Sequence, residues 1–186
     1  PYTTLFRSES AIQSKEIQYS IDTNIQHKYA VCDKTKLQEI YLNIVSNAIK
    51  YTPNGQAIHV NITETASDDK KAWYVFICED TGIGMKQEYL PHIFDEFSRE
   101  HTATENKVVG TGLGLSIVKS FVELMDGKIY VESEQGKGTK FTVEIPLETA
   151  SEEDVYKKKE SEQSVISDKS IRKRILLAED IQMAKN

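Results

Sequence analysis

The stretch Asp80-Thr-Gly-Ile-Gly-Met85, together with Gly110-Thr-Gly-Leu-Gly-Leu-Ser116, decides the fold of this chain. An apolar run, 74–78, predicts a buried strand just before the first stretch, and the second stretch leads into a helical pattern. Glycines let a backbone approach a ligand closely, and a helix N-terminus offers free N–H groups and the positive end of a dipole. The two glycine turns therefore predict a phosphate-binding site. Their spacing matches neither the dinucleotide-binding fingerprint nor the P-loop.

Length and composition favour one soluble, well-packed domain with some chain left over. The 186 residues are 39% hydrophobic and 28% charged, with a formal net charge of −6. A negative charge argues against nucleic acid or an anionic membrane surface as a partner. The two cysteines, Cys32 and Cys78, lie far apart in strand-like runs, so we expect buried reduced thiols and a cytoplasmic domain.

An amphipathic helix is predicted to begin after Asp33, a good N-cap residue, and to end before Pro53. Its polar face places Asn43, Asn47 and Lys50 at i, i+4 and i+7. Solvated polar residues are the ordinary interpretation of such positions. The ending favours a site instead, because it brings an amide, an ammonium and the ring of Tyr51 to one end of the helix.

Strands and a second helix account for most of the remaining chain. A helical pattern is predicted over 113–125, and residues 98–109, which show no period, predict a loop that would suit a lid. Alternating or continuous apolar residues predict strands at 17–22, 29–33, 57–63, 72–78, 127–134 and 138–146. Of these, 72–78 is expected to be central, and Pro146 is expected to end the last.

Four motifs now stand in order along the chain. They are Asn43-x-x-x-Asn47-Ala-x-Lys-Tyr-Thr-Pro53, Asp80-Thr-Gly-Ile-Gly-Met85, Phe94-Asp-Glu-Phe97 and Gly110-Thr-Gly-Leu-Gly-Leu-Ser116. They resemble the N, G1, F and G2 boxes of the catalytic, ATP-binding domain of sensor histidine kinases. The resemblance covers 17–147 and implies a Bergerat-type fold: a two-layer α/β sandwich with a mixed five-stranded sheet backed by three helices.

The resemblance also implies the cofactors ATP and Mg²⁺ and a role for each motif. Asn43, Asn47 and Lys50 would form the catalytic group, with Asn47 holding Mg²⁺ and Lys50 contacting phosphate. Tyr51 would pack near the nucleotide, and Asp80 would accept a hydrogen bond from the adenine amino group. The other implied ATP-binding residues are Gly82, Ile83, Gly84, Met85, Phe94, Arg99, Gly110, Thr111, Gly112, Leu113, Gly114, Leu115 and Thr139. An ordinary turn-forming role is the competing interpretation for Asp80. For Phe94 and Phe97, hinge packing at the base of the lid is the preferred interpretation.

The two ends of the chain carry further expectations. Residues 1–8 resemble the translation of a sequencing-adapter oligonucleotide, so we expect them not to belong to the folded domain. Residues 9–16 are expected to be the end of a dimerisation or linker helix. The polar stretch 148–173 predicts a flexible linker. The run 174–186 resembles the truncated start of a response-regulator receiver domain, with Glu179 and Asp180 as its acidic pair.

The expected partners follow from the same resemblance. They are a histidine-bearing dimerisation domain of the same protein and a receiver domain. We expect the fragment to be a monomer without direct membrane contact, whereas the parent protein would be a homodimer that a membrane anchor could hold.

Three other functions remain open at this point. An ATPase of the gyrase, chaperone or mismatch-repair kind would need a Glu one turn before the Mg²⁺ ligand, but Asn43 stands there and cannot act as a base. A nucleotide-sensing module without activity would have degenerate motifs, whereas all four are intact here. An anti-sigma serine kinase shares the motifs, although the linker and the receiver-like tail disfavour it.

Overall fold

A computed structural model of the chain describes residues 10–67, 70–98, 111–151, 153 and 174–177. A short helical segment, 10–14, precedes the first strand. The predicted lid from residue 99 onward, most of the predicted linker and the end of the receiver-like tail lie outside the described residues. The strands are β1 (Gln18–Asn24), β2 (Tyr29–Cys32), β3 (Ala57–Ser67), β4 (Lys71–Asp80), β5 (Lys128–Glu134), β6 (Gly138–Ala150) and β7 (Arg174–Leu177).

Helix α1 (Lys34–Tyr51) begins and ends where the sequence predicts. The side chain of Asp33 caps it by accepting hydrogen bonds from the backbone N–H groups of Thr35 and Lys36, each at 3.1 Å. Thr52, in an extended conformation, ends it before Pro53. The buried face consists of residues that recur at helical spacing: Leu37, Ile40, Ile44, Ala48 and Ile49.

Helix α2 (Gly114–Leu124) follows the second glycine turn and packs against α1. Val118 and Val122 are fully buried, while Leu115 and Met125 are partly buried against the same core, so these four residues form the inward face of the helix. A 3-10 turn, Leu90–His92, lies between β4 and α2 in sequence. Within the described ranges, no helix is long and apolar enough to cross a membrane.

The sheet is mixed, as predicted. Its order is β1-β3-β4-β6-β2-β7, and β5 also pairs with β6. Only β1 and β3, among the described strands, pair in parallel. Strand β4 lies between β3 and β6, which confirms its predicted central position and makes its C-terminal end a fixed point of the fold.

One face of the sheet forms the core with the two helices. In β4, every second residue from Ala72 through Tyr74, Phe76 and Cys78 is buried, and Tyr41 of α1 stacks on Phe76 with ring centroids 4.4 Å apart. The next position in this alternation is Asp80. The strand geometry therefore carries a carboxylate to the helix-covered face, just beyond the last apolar residue.

The sheet is larger than the predicted five strands because β6 continues past Pro146 to Ala150. The expectations that Pro146 ends the strand and that 148–150 belong to a linker are wrong. Strand β5 pairs with β6 only up to Glu144, and β2 pairs from Glu148 onward, so Pro146 lies where one edge of β6 has no partner among the described strands. A proline without an N–H is tolerated at such a position. The extension of β6 pairs with β2, and β7 pairs with the other edge of β2.

The segment before β1 is tied to the end of α1. The ammonium of Lys15 donates hydrogen bonds to the carbonyl oxygens of Ile49, Lys50 and Thr52 at 2.8, 3.1 and 3.0 Å. Burial lowers the pKa of this ammonium. Because the last carbonyls of a helix have no partner within it, a cation is well placed there. Lys15, which directly follows the helical segment 10–14, therefore joins that segment to the helix end that carries Lys50 and Tyr51.

Candidate nucleotide-binding site

A cleft of about 260 Å³ opens between α1, the loop after β4 and the N-terminus of α2. Its wall brings together residues from three of the four sequence motifs and from β6. The lining consists of Asn43, Asn47, Ala48, Lys50, Tyr51, Asp80, Ile83, Gly84, Met85, Tyr89, Ile93, Ser98, Thr111, Gly112, Gly114, Leu115, Thr139 and Phe141.

Asp80 lies at the sheet end of the cleft and is 7% exposed. Its Oδ1 accepts a hydrogen bond from the backbone N–H of Gly82 at 2.9 Å. Burial raises the pKa of Asp80 to about 6, although the backbone N–H groups of Gly82 and Thr139 work in the opposite direction. A buried carboxylate whose pKa lies near neutrality is a typical feature of a functional site.

The loop 81–85 is held from two sides. The backbone N–H of Ile83 donates to the carbonyl oxygen of Tyr51 at 3.2 Å, and the carbonyl oxygen of Ile83 accepts from Gly136 at 2.7 Å. A Cβ on Gly82 would lie 2.6 Å from the Tyr51 oxygen, so the loop meets the end of α1 too closely for any side chain there. Gly82 thus serves the contact between loop and helix, and it does not line the cleft.

The polar face of α1 forms the opposite wall. The side-chain amide of Asn43 donates from Nδ2 to the carbonyl oxygen of Glu39 at 2.9 Å. Its Oδ1 lies where a Cβ on Gly114 would be 2.8 Å away, which explains why a glycine begins α2. The ammonium of Lys50 lies 5.1 Å from the ring centroid of Tyr51. The side chain of Asn47, one turn beyond Asn43, also faces the cleft.

The N-terminus of α2 closes the cleft with backbone donors. The cap residue Leu113 makes no side-chain cap bond, and the first turn carries no acidic residue. Thr111 Oγ1 accepts from the backbone N–H of Leu113 at 3.4 Å. The remaining N–H groups and the positive end of the helix dipole suit an anion. The amide of Asn43 lies beside Gly114 at this end, and Asn47 and Lys50 line the same cleft, so the residues present fit a phosphate chain with a hard cation.

Most of the predicted site residues meet around this cleft, but three do not line it. They are Gly82, Phe94 and Leu113. Phe94 packs partly buried against the core, as hinge packing requires, whereas Phe97 is 69% exposed with a φ of 60°. Hinge packing is therefore wrong for Phe97, because its backbone, and not its ring, contacts Gly112. Arg99 and Gly110 lie outside the described residues.

Five lining residues were not predicted from the sequence: Ala48, Tyr89, Ile93, Ser98 and Phe141. Ala48 and Phe141 lie on the apolar faces of α1 and β6, where the sequence does not distinguish a core position from a position that lines the cleft. Ser98 donates to the Tyr89 hydroxyl at 3.3 Å, which links the ends of the segment after loop 81–85. No periodic signal marks Tyr89 or Ile93, because they lie in turns.

A sheet covered by helices on one face, with a cleft between an amide-bearing helix and a glycine turn, defines a class of nucleotide-binding α/β domain. Residues 32–149 match the family described as histidine kinase-, DNA gyrase B- and HSP90-like ATPases. The chain belongs to this family. It carries the ATP-binding catalytic domain of the sensor histidine kinases, as its relatives show.

Two relatives and one solved structure illustrate the similarity. The chain is 36% identical over 132 residues to the autoinducer 2 sensor kinase/phosphatase LuxQ of Vibrio parahaemolyticus, which covers 70% of this chain and 15% of that protein. It is 33% identical over 157 residues to hybrid signal transduction histidine kinase D of Dictyostelium discoideum, and this match covers 84% of this chain and 10% of that protein. The nucleotide-free catalytic domain of histidine kinase ThkA superimposes with a TM-score of 0.61 at 26% identity, covering 78% of this chain and 88% of that domain. The chain thus spans a small part of these full-length relatives.

Proposed function

We propose that this domain binds ATP with Mg²⁺ in the cleft and transfers the γ-phosphoryl group to a histidine on a dimerisation helix of the parent protein. The observation that supports this most is the polarity of the cleft. A buried acceptor, Asp80, lies at the sheet end, where the loop that follows it contacts Tyr51 at the end of α1. Asn43 of α1 lies beside the N-terminus of α2, and Asn47 and Lys50 line the cleft from positions on α1 between Asn43 and Tyr51. An adenine with an attached triphosphate matches that order of groups.

The residues on α1 would hold the triphosphate and its metal ion. An amide oxygen is a hard neutral ligand that suits Mg²⁺, and Lys50 would contact phosphate as a point charge. Within the described ranges, no three His, Cys, Asp or Glu side chains cluster as metal ligands, so Asn47 is our candidate ligand. The metal ion would neutralise phosphate charge. Transfer then depends on positioning and charge stabilisation, with the bridging oxygen of ADP leaving as the N–P bond forms.

The acceptor histidine would come from outside this chain. None of the described histidines lines the cleft: His27 contacts Glu64, His59 contacts Ser20, and His92 contacts Asp95. We therefore propose that the chain binds ATP without phosphorylating itself. The dimerisation domain of the parent would be its substrate, and a receiver domain would accept the phosphoryl group next. The domain would work on the cytoplasmic side of any membrane that the parent spans.

Calorimetric titration with ATP, with Mg²⁺ or with a chelator, tests the proposal. We expect binding that Mg²⁺ strengthens. In Asn47→Ala the gain due to Mg²⁺ should fall at least about tenfold while binding in chelator changes little, since one metal ligand is lost and alanine keeps the helix. Lys128→Met, an exposed change far from the cleft, is the control. A folded wild-type chain that binds no ATP would overturn the proposal.

Hydrolysis distinguishes the kinase from an ATPase of the same family. Asp80 is the only carboxylate among the described residues that line the cleft, and it lies at the sheet end. Glu39 is exposed and does not line it. We expect ATP hydrolysis near background in the wild-type chain, and a rise in Asn43→Glu, which would place a general base one turn before Asn47. Steady phosphate release by the unmodified chain would favour the ATPase.

A further inference from the structure

Three polar side chains stand in one row across the sheet. Ser133 of β5 lies directly opposite Thr139 of β6, and Thr139 lies directly opposite Asp80 of β4. Residues that are directly opposite each other in antiparallel strands point to the same face of a sheet. Thr139 and Asp80 both line the cleft, whereas Ser133 lies behind Thr139 and does not. The row therefore connects a residue outside the cleft to its sheet end.

The Ser133 hydroxyl makes three hydrogen bonds. Ser133 Oγ donates to the carbonyl oxygen of Gly138 at 2.8 Å. It accepts from the backbone N–H of Met85 at 2.9 Å. It also lies 2.9 Å from Thr139 Oγ1, where either hydroxyl has the geometry to donate.

Counting protons decides the direction of the third bond. A serine hydroxyl has one proton and two lone pairs, and a carbonyl oxygen can only accept. The single proton of Ser133 is used on Gly138, and the Met85 N–H occupies one lone pair. The second lone pair must then accept the proton of Thr139. Thr139 Oγ1 is left with lone pairs alone for the cleft.

We infer that Ser133 is a positioning residue that fixes Thr139 as a hydrogen-bond acceptor, and so makes the sheet end of the cleft selective for an amino-bearing base. The inference rests on the proposed ATP binding. Asp80 and Thr139 then form an edge of acceptors only, which matches the two N–H groups of a 6-amino purine. A 6-oxo purine would bring an acceptor against acceptors and leave buried polar groups without partners.

Competition between ATP and inosine triphosphate, which carries a 6-oxo group, tests this role in the full 186-residue chain. Wild type should prefer ATP. In Ser133→Ala the Thr139 hydroxyl is free to rotate and to donate, so we expect the ATP-to-inosine-triphosphate preference to fall about three- to tenfold. Loss of Met85 anchoring alone would weaken both nucleotides by the same factor and leave the ratio unchanged.

A double-mutant cycle shows whether Ser133 acts through Thr139. In a Thr139→Val background, Ser133→Ala should no longer change the ratio, because the hydroxyl that it orients is gone. Thr139→Ser keeps a hydroxyl and should keep the preference, and Thr139→Val alone should lower it. Where Ser133→Ala does not fold, these two variants still test whether the Thr139 hydroxyl is the acceptor, and an unchanged preference in Thr139→Val overturns the inference.

The outcomes separate the inference from the proposal on which it rests. ATP binding with a ratio unaffected by Ser133→Ala, or a ratio that changes equally in both backgrounds, overturns the role of Ser133 and leaves ATP binding intact. A folded wild-type chain that binds neither nucleotide overturns both.

Discussion

Replacing Asp80 with asparagine is expected to weaken ATP binding about ten- to a hundredfold and, at the same time, to stabilise the nucleotide-free protein at pH 8. The carboxylate is 7% exposed and is held against Gly82, so it is positioned as an acceptor before any ligand arrives. A hydrogen bond to a charged group is worth roughly 1.5–3 kcal/mol, which gives the expected loss. Asparagine keeps the size of the side chain but puts a donor among the acceptors of the cleft.

The gain in stability follows from the cost of burying a charge. Burial raises the pKa of Asp80 from 3.8 to about 6, so above pH 6 the folded state holds an anion that is more favourable in the unfolded chain. As pH falls from 6 toward 4, the folded state takes up the proton first and the penalty disappears. Two pKa units correspond to about 2–3 kcal/mol, so Asp80→Asn should be more stable than wild type by up to that amount at pH 8 and by little at pH 4.

Urea unfolding at pH 4 and pH 8, beside ATP calorimetry at pH 8, measures both effects. Asp22→Asn removes the same charge from an exposed position of β1, where the side chain is 75% exposed, and should change neither quantity appreciably. If Asp80→Asn bound ATP as tightly as wild type, the carboxylate would not be part of the binding edge. A loss of stability at pH 8 would mean that its hydrogen bonds outweigh its desolvation.

The elements that the sequence predicts well are those whose local chemistry agrees with the fold. Asp33 caps α1 and Pro53 follows its end, so the bounds of this helix are confirmed by local rules alone. Strand β4 is apolar from Ala72 to Cys78, and this run predicts its central position. Pro146 shows the limit of such rules. Whether a strand continues through a proline depends on which neighbours pair with it, and the gap between β5 and β2 is a property of the whole sheet.

The site shows the same limit more sharply. Three polar residues of the site each stand at a core-facing position, at the end of a strand's run of alternating apolar residues. They are Asp80, two positions after Cys78, Ser133, two positions after Val131, and Thr139, two positions before Phe141. A polar residue at a core-facing position of a strand can be recognised from the sequence alone. The resemblance drew attention to two of the three, but the third shows its role only when the register of β5 and β6 places it against Thr139. Side-chain partners across strands are set by register, which one sequence does not specify.

Replacing Gly138 with alanine is expected to destabilise the protein by more than about 3 kcal/mol, and to abolish ATP binding wherever the chain no longer folds. Gly138 begins β6 with a φ of 119°, a backbone conformation that L residues rarely adopt. A Cβ there would also overlap the carbonyl oxygen of Asp80 and lie 2.9 Å from the Cα of Thr81. Those atoms belong to the backbone of β4 and the loop 81–85, so relief would require the hairpin to move away from the cleft.

Gly136→Ala in the same hairpin separates two causes of the expected loss of stability, the positive φ and the overlap of the added Cβ with neighbouring backbone. Gly136 has a φ of 82°, but a Cβ there would meet no atom within 4 Å, so alanine would carry only the backbone cost of about 1–2 kcal/mol. The free energies of unfolding of the two variants, measured with urea, should therefore differ by at least about 1–2 kcal/mol, because an overpacked contact costs typically 1–3 kcal/mol. This difference is the part of the loss at Gly138 that is due to overlap. Equal losses would show that conformation alone requires glycine in this turn. A clearly larger loss at Gly138 would show that the hairpin is pressed against Asp80, so that the turn which closes β5 and β6 also fixes the acceptor edge of the cleft.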